Sequence, residues 1–155
     1  MAVFRKAYSV VGALLMLQFL AQFYFIAAAI FTITGAGDNA QSVYDAFQRA
    51  DPFARLHALD GYLIGITILV LIALSFGTRY PRRTTVLTAL LFLLLVLQVV
   101  LARVGIPVVS ALHGLNALIL VGLGGYLTGR NWAFRQQAAP GTVGSTPEPA
   151  GSPSP

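Results

Sequence analysis

Residues 7–33 read AYSVVGALLMLQFLAQFYFIAAAIFTI, an apolar run that contains no charged side chain. A run of this length predicts a transmembrane helix. The alternative is a secretory signal peptide, because Arg5 and Lys6 precede the run and residues 27–29 resemble a cleavage site. The apolar region of such a peptide is only about 7–15 residues long. We therefore expect the run to be retained as the first helix of a membrane protein.

The composition of the chain supports a membrane protein. Of the 155 residues, 57% are hydrophobic and 10% are charged, whereas a soluble domain carries about 25% charged residues. We therefore expect apolar side chains to face the lipid bilayer. The net charge of +5 would suggest nucleic acid in a soluble protein, but here the positive side chains flank apolar runs and no nucleic-acid partner is predicted. The absence of cysteine excludes disulfides, thiolate metal sites and thiol catalysis.

Three more apolar segments follow the first, and together they predict an all-α, up-and-down bundle of four transmembrane helices. The predicted helices cover residues 7–33, 52–77, 84–103 and 107–127. A polar loop is expected from residue 35 to 51, with Asp51 as N-cap and Pro52 at the first position of the second helix. Residues 1–135 would form the bundle. Residues 136–155 are rich in Pro, Gly, Ser and Thr and predict a disordered cytoplasmic tail.

The distribution of charge predicts the orientation of the bundle. One set of connecting segments is basic and holds Arg5, Lys6, Arg79, Arg82, Arg83, Arg130 and Arg135. The opposite set mixes both signs and holds Asp38, Asp45, Arg49, Asp51, Arg55, Asp60 and Arg103. Because cytoplasmic loops carry the excess of Lys and Arg, both termini are predicted to be cytoplasmic. The expected location is the inner (plasma) membrane.

A weak internal repeat divides the chain into two hairpins. Residues 56–60 read LHALD, and residues 112–116 read LHGLN. The helix before each of these segments carries a Leu-Gln pair, Leu17-Gln18 in the first and Leu97-Gln98 in the third. Two hairpins that run in the same direction through the membrane are related by an axis along the membrane normal.

The two histidines of the chain, His57 and His113, occupy equivalent positions in this repeat. Ionisable residues in membrane spans are costly and usually functional. If the repeat is real, the two imidazoles face each other in the outer leaflet, where they suit the two axial positions of a haem iron. Gly61 and Gly65 lie on the face of His57 and would leave room for a flat ring. The alternative is that the histidines lie among lipid headgroups or bond to a neighbouring helix.

Other polar residues allow two interpretations each. Arg55 and Arg103 could pair with haem propionates or be ordinary interfacial arginines. Asp60 and Asn116 could bond to the histidine of the other hairpin and set its tautomer, or be interfacial polar residues. Three glutamines within the spans are expected to form interhelical hydrogen bonds, with contact to a cofactor or quinone as the alternative: Gln18, Gln22 and Gln98.

Three short motifs carry a resemblance to a known family: His57 with Gly61 and Gly65, Gln98 with Leu101 and Ala102, and His113. Over residues 10–130 the chain resembles one half of haem A synthase, the membrane enzyme that oxidises haem O. It also resembles small four-helix bacterial membrane proteins of undefined activity. The resemblance implies a bundle that binds haem b, with His57 and His113 as the iron ligands.

The sequence departs from that family at Ala54 and Ala58, where the family commonly has Glu and Arg. The resemblance therefore argues against haem hydroxylation by this chain alone, and a stand-alone enzyme is not implied. The preferred hypothesis is a membrane haem-binding protein that transfers electrons or handles haem, as a homodimer or within a larger membrane redox complex. The alternatives are a cofactor-free accessory subunit of a membrane complex, and a quinone- or lipid-linked membrane enzyme in which Asp60 would act as acid or base.

Overall fold

The protein folds into a bundle of four α-helices. The computed structural model describes residues 2–37 and 39–134, and within them the helices are α1 (Ala2–Thr34), α2 (Ala40–Gly77), α3 (Arg82–Arg103) and α4 (Pro107–Arg130). All four are long and apolar enough to cross a membrane. The predicted all-α bundle is thus confirmed. The predicted tail, residues 136–155, lies outside the described residues.

The outer surface of the bundle is apolar. Large hydrophobic side chains are exposed along every helix, among them Leu17, Leu20, Ile66, Leu69, Leu93, Val100, Leu118 and Ile119. A soluble monomer rarely exposes a continuous apolar surface of this extent. The lipid bilayer is the environment that accommodates it, because hydrocarbon tails are as apolar as these side chains.

The helices pack in the cyclic order α1, α2, α3, α4, and α4 also packs against α1. Within the described residues the backbones of the diagonal pairs, α1 with α3 and α2 with α4, do not approach each other closely, although Tyr8 of α1 and Thr88 of α3 share a side-chain hydrogen bond of 2.9 Å. A core fills the axis in the half of the bundle near the chain's N-terminus, and its members are Tyr8, Leu15, Phe19, Ile64, Ile68, Leu71, Leu91, Leu120 and Leu127. The bundle axis is therefore well packed at one end.

The predicted start of α2 at Pro52 is wrong, because the helix begins twelve residues earlier, at Ala40. Asn39 is the N-cap, and its Oδ1 accepts a hydrogen bond of 2.8 Å from the Ser42 backbone N–H. Pro52 lies inside the helix, where it removes one backbone hydrogen bond at a cost of about 3 kcal/mol. Buried Ala46 and Ala50 offset that cost, since small side chains allow α1 and α2 to pack closely.

The other helix bounds differ by a few residues from the prediction. The helix α1 begins at Ala2 rather than residue 7, and α3 begins at Arg82 rather than residue 84. The helix α4 continues to Arg130 instead of ending at residue 127. Its last turn is closed by Asn131, whose side-chain Nδ2 donates to the Leu127 carbonyl at 2.8 Å. Polar end residues of this kind extend a helix beyond its apolar stretch.

The two hairpins differ in length. With 38 residues, α2 is about 57 Å long, whereas α3, with 22 residues, is about 33 Å long. A length of about 33 Å matches the hydrocarbon core of about 30 Å. The α1–α2 hairpin therefore extends well beyond the α3–α4 hairpin at the end of the bundle that holds the two hairpin loops.

Candidate functional site

Each histidine bonds to the backbone of the helix that precedes it. His57 Nδ1 lies 3.3 Å from the Gln22 carbonyl oxygen of α1, and His113 Nδ1 lies 2.9 Å from the Gln98 carbonyl oxygen of α3. A carbonyl oxygen can only accept, so each Nδ1 carries the proton in these bonds. In the neutral form of each ring, the other nitrogen, Nε2, then holds a lone pair.

The side chains of the same two glutamines hold the hairpins together. Gln22 Nε2 donates to the His57 carbonyl oxygen at 2.8 Å and to Asp60 Oδ2 at 2.9 Å. In the second hairpin, Asn116 Nδ2 donates to Gln98 Oε1 at 2.6 Å and to the Leu94 carbonyl oxygen at 2.9 Å. In both hairpins the glutamine thus bonds to the residue three positions after the histidine, as donor to Asp60 in the first and as acceptor from Asn116 in the second.

This arrangement corrects two sequence-based expectations. The partner of Gln98 in the repeat is Gln22, not Gln18, because Gln22 lies at the height of His57. Asp60 and Asn116 bond to the glutamine of their own hairpin, not to the histidine of the other. The predicted interhelical bonding of glutamines holds for Gln22 and Gln98. Gln18 Oε1 is buried and has no hydrogen-bond partner among the described residues.

The two imidazoles lie close together across the bundle. Their ring centres are 6.4 Å apart and their planes are inclined by 54°. His57 is on α2 and His113 is on α4, which are diagonal helices. The rings therefore cross the gap that these two helices leave between them, as the repeat in the sequence predicts.

A cavity of about 400 Å³ lies beside both rings and receives side chains from all four helices. A volume of this size is typical of small-molecule and cofactor pockets. Small residues adjoin both histidines on the cavity wall: Ala58 and Gly61 follow His57, and Gly114 and Ala117 follow His113. The space beside the imidazoles therefore results from missing side chains at matching positions of the two hairpins.

Most of the residues predicted for the site line this cavity. They are His57, His113, Gly61, Gln98 and Arg103. Gly65 is not among the lining residues, and a Cβ atom there would lie 3.4 Å from Leu95 Cδ2 in the packing with α3. Arg55 is also outside, because its exposed side chain forms an ion pair of 2.7 Å with Asp51. The arginine that lines the cavity is therefore Arg103 rather than Arg55.

The wall contributed by α1 was not predicted, apart from Gln22 as an alternative cofactor contact. Phe19, Gln22, Phe23 and Ile26 line the cavity at the i, i+3, i+4 and i+7 spacing of a single helical face. That spacing is visible in the sequence. It did not stand out because α1 is apolar on every face, so hydrophobic periodicity does not distinguish the lipid-facing side from the cavity side.

The donor set of this site suits a metal that brings most of its own ligands. Two imidazole nitrogens supply only two coordination bonds, and a porphyrin supplies four further nitrogens around its iron. The other lining residues are mostly aliphatic or aromatic, which suits the apolar surface of a macrocycle. A haem would thus be held by His57 and His113, with Arg103 as the lining cation.

Fold and site together define a class of protein: a four-helix membrane bundle with a histidine pair beside a central cavity. Residues 46–105, which cover most of α2 and all of α3, match a family of unknown function, DUF6220. The matched segment contains His57 and Gln98 and ends before His113. No curated protein and no solved structure matches the chain.

Proposed function

We propose that this protein is a membrane-integral haem-binding protein in which His57 and His113 are the axial ligands of one haem b. Its role would be electron transfer or the handling of haem for a partner. The observation that carries the proposal is the close imidazole pair, with ring centres 6.4 Å apart, beside a cavity of about 400 Å³.

The spacing of the rings supports shared ligation. A bond between a metal and an imidazole nitrogen is about 2 Å long, and the ring centre lies about 1 Å behind that nitrogen. Two imidazoles on opposite sides of one metal therefore have ring centres about 6 Å apart. The separation of 6.4 Å between His57 and His113 agrees with this value.

The protonation state of the rings also supports ligation. A histidine that binds a metal almost always donates its other ring N–H to a carbonyl or carboxylate, which fixes the tautomer and the ring orientation. Both histidines have such a partner, in the carbonyl groups of Gln22 and Gln98.

The shape of the bundle supports a flat ligand between the histidines. A ring perpendicular to the line from α2 to α4 would extend toward α1 and α3, and those helices also leave a gap between them. Phe23 and Val99 line the cavity on these two sides. Arg103 is the cation of the cavity wall, and we propose that it pairs with a haem propionate.

Orientation and location form part of the proposal. The end of the bundle with Arg5, Lys6, Arg82, Arg83 and Arg130 would face the cytoplasm, by the positive-inside rule. The site would then lie in the outer leaflet of the inner (plasma) membrane, with both termini cytoplasmic. A second copy of the chain or a larger membrane redox complex would be the electron-transfer partner.

An optical spectrum of the purified protein tests the proposal. The chain is expressed with ample haem precursor, purified in detergent, and compared as oxidised and dithionite-reduced samples. We expect Soret and α bands of six-coordinate haem b at about one haem per chain. His57→Ala and His113→Ala should each lose most of the bound haem, because one axial ligand is removed.

A conservative variant separates ligation from folding. His113→Met replaces one axial ligand by another that iron accepts, so it should retain haem with a shifted spectrum. Wild-type protein without haem bands would overturn the proposal. So would retention of an unchanged six-coordinate spectrum by both alanine variants, and copurification of a quinone without haem would favour the quinone-linked alternative.

A further inference from the structure

The two halves of the site differ in charge at one equivalent position. Asp60 follows His57 by three residues, and Asn116 follows His113 by three residues. Each contacts the glutamine of its own hairpin, at 2.9 Å for Asp60 and 2.6 Å for Asn116. Aspartate and asparagine have the same shape, but Asp60 accepts the hydrogen bond from Gln22 whereas Asn116 donates to Gln98, and only the aspartate side chain can carry a formal negative charge.

Asp60 places a carboxyl group without an ion-pair partner in the interior of the bundle. It is 9% exposed, and the described residues place no Lys, Arg or His nitrogen within ion-pair distance of its carboxylate. Its hydrogen-bond donor is the neutral amide of Gln22. Burying an unpaired carboxylate is unfavourable, and a cation bound nearby would relieve that cost.

A bis-imidazole haem supplies such a cation in one oxidation state. The ferric iron and its porphyrin dianion carry a net charge of +1, whereas the ferrous complex is neutral at its centre. Residues three positions apart on a helix are neighbours, with Cβ atoms about 5–6 Å apart, so Asp60 lies close to the proposed ligand His57. A negative charge there stabilises the ferric form more than the ferrous form.

We propose that Asp60 is a positioning and charge-setting residue that lowers the reduction potential of the haem held by His57 and His113. This inference rests on the proposed function. The step concerned is a one-electron reduction of ferric to ferrous iron, with the electron supplied in the experiment by a dithionite-reduced mediator. No bond is broken, and both imidazoles remain bound. The carboxylate keeps its hydrogen bond from Gln22 in both states.

Asp60→Asn in the haem-loaded full chain tests this proposal. Asparagine Oδ1 can accept the same hydrogen bond from Gln22, so the variant removes charge while keeping the contact. A unit charge about 10 Å away, at an effective dielectric constant of about 20, changes an equilibrium by about tenfold. We therefore expect the variant to favour the ferrous form by about tenfold, which is a rise of about 59 mV in midpoint potential.

Two further variants keep the inference testable if Asp60→Asn folds poorly. Asn116→Asp places a carboxylate at the equivalent position of the other hairpin and should lower the midpoint potential by a similar factor. Because Asn116 donates both of its hydrogen bonds, the Gln98 amide must turn so that its Nε2 donates, and the bond to the Leu94 carbonyl is lost. Asp51→Asn, on the same helix but in an exposed ion pair with Arg55, removes a charge outside the cavity and should leave the potential unchanged.

The outcomes distinguish the two proposals. Absence of haem bands in the wild type would remove the proposed function, and this inference with it. Suppose that both variants bind haem at full occupancy and that their reduction equilibrium constants differ from that of the wild type by less than twofold. This result for Asp60→Asn and Asn116→Asp would overturn the role of Asp60 alone. An equal shift in the Asp51→Asn control would also overturn it, because the effect would then not depend on the buried position.

Discussion

Backbone carbonyl groups hold both imidazoles of this bundle. The Gln22 and Gln98 carbonyls lie inside helices and have a second lone pair, which accepts the Nδ1 proton of the facing histidine. The glutamine side chains do a different task, since they connect neighbouring helices. The cavity beside the histidines exists because several lining residues have small side chains or none. Gly114 is the clearest example, because a Cβ atom there would meet nothing within 4 Å.

Replacing Gly114 by leucine should fill the cavity without disturbing the fold. The new side chain can enter open space beside His113, so we expect haem content to fall at least tenfold while helix content is retained. The control is Gly122→Leu, because Gly122 also has open space around it but is not a lining residue of the cavity. Haem per chain and far-ultraviolet circular dichroism are the measurements. Equal haem content in the two variants would contradict this role of the cavity.

At the scale of elements, α1 and α4 pack closely together at one side of the cavity. Gly124 of α4 lies against Phe19 of α1, and a Cβ atom at Gly124 would lie 2.9 Å from Phe19 Cε2. Phe19 is in turn a lining residue of the cavity. At Gly125, the next residue, a Cβ atom would lie 3.7 Å from Met16 Cε, which is an ordinary van der Waals distance. Adjacent glycines on one helix therefore differ in what they allow.

We expect Gly124→Ala to destabilise the bundle relative to Gly125→Ala. Both changes raise helix propensity by about 1 kcal/mol, so this contribution cancels in the comparison. Overpacking of a tight contact costs about 1–3 kcal/mol, and only Gly124→Ala incurs it. Unfolding in mixed micelles with increasing dodecyl sulfate, followed by circular dichroism, measures the difference. Equal unfolding midpoints for the two variants would show that the Phe19 side chain can move aside without loss of stability.

At the scale of the whole molecule, the two hairpins are unequal. From the level of the histidines, α2 continues for about 17 residues to Ala40 and α4 for about 6 residues to Pro107, so the α1–α2 hairpin extends roughly 16 Å further. Charged and polar side chains occur on this extension, including Asp45, Arg49 and Asp51. The site therefore lies near the loop end of the shorter α3–α4 hairpin, beside an α1–α2 hairpin that extends further in the same direction.

Single cysteines can map this arrangement, because the chain contains no cysteine of its own. In spheroplasts we expect Gln41→Cys and Gln48→Cys, on the extension, to react with a membrane-impermeant maleimide added outside. Thr85→Cys, at the basic end, should react only after permeabilisation. Leu97→Cys, on the apolar surface of α3, should remain unreactive in both conditions. Protection of Gln48→Cys would contradict the extension, and labelling of Thr85→Cys from outside would reverse the proposed orientation.

The sequence alone determined the number of spans, the approximate ends of α3 and α4, and the equivalence of His57 and His113. It could do so because hydrophobic length and charge at helix ends are local properties. The predicted start of α2 was wrong because Asp51-Pro52 resembles an N-cap followed by the first helical residue, whereas the N-cap in the structure is Asn39. Only packing between α1 and α2 decides that the helix continues through the proline.

Only the tertiary structure decided which residues surround the histidines. It pairs Gln22 with Asp60 and Gln98 with Asn116, turns Gly65 toward α3, and leaves Arg55 at the surface. These outcomes depend on the rotation and relative height of helices that are apolar on all sides. Lipid does not select one apolar face over another, so the facing of each helix is set by interhelical hydrogen bonds and close contacts, which exist only once the bundle has assembled.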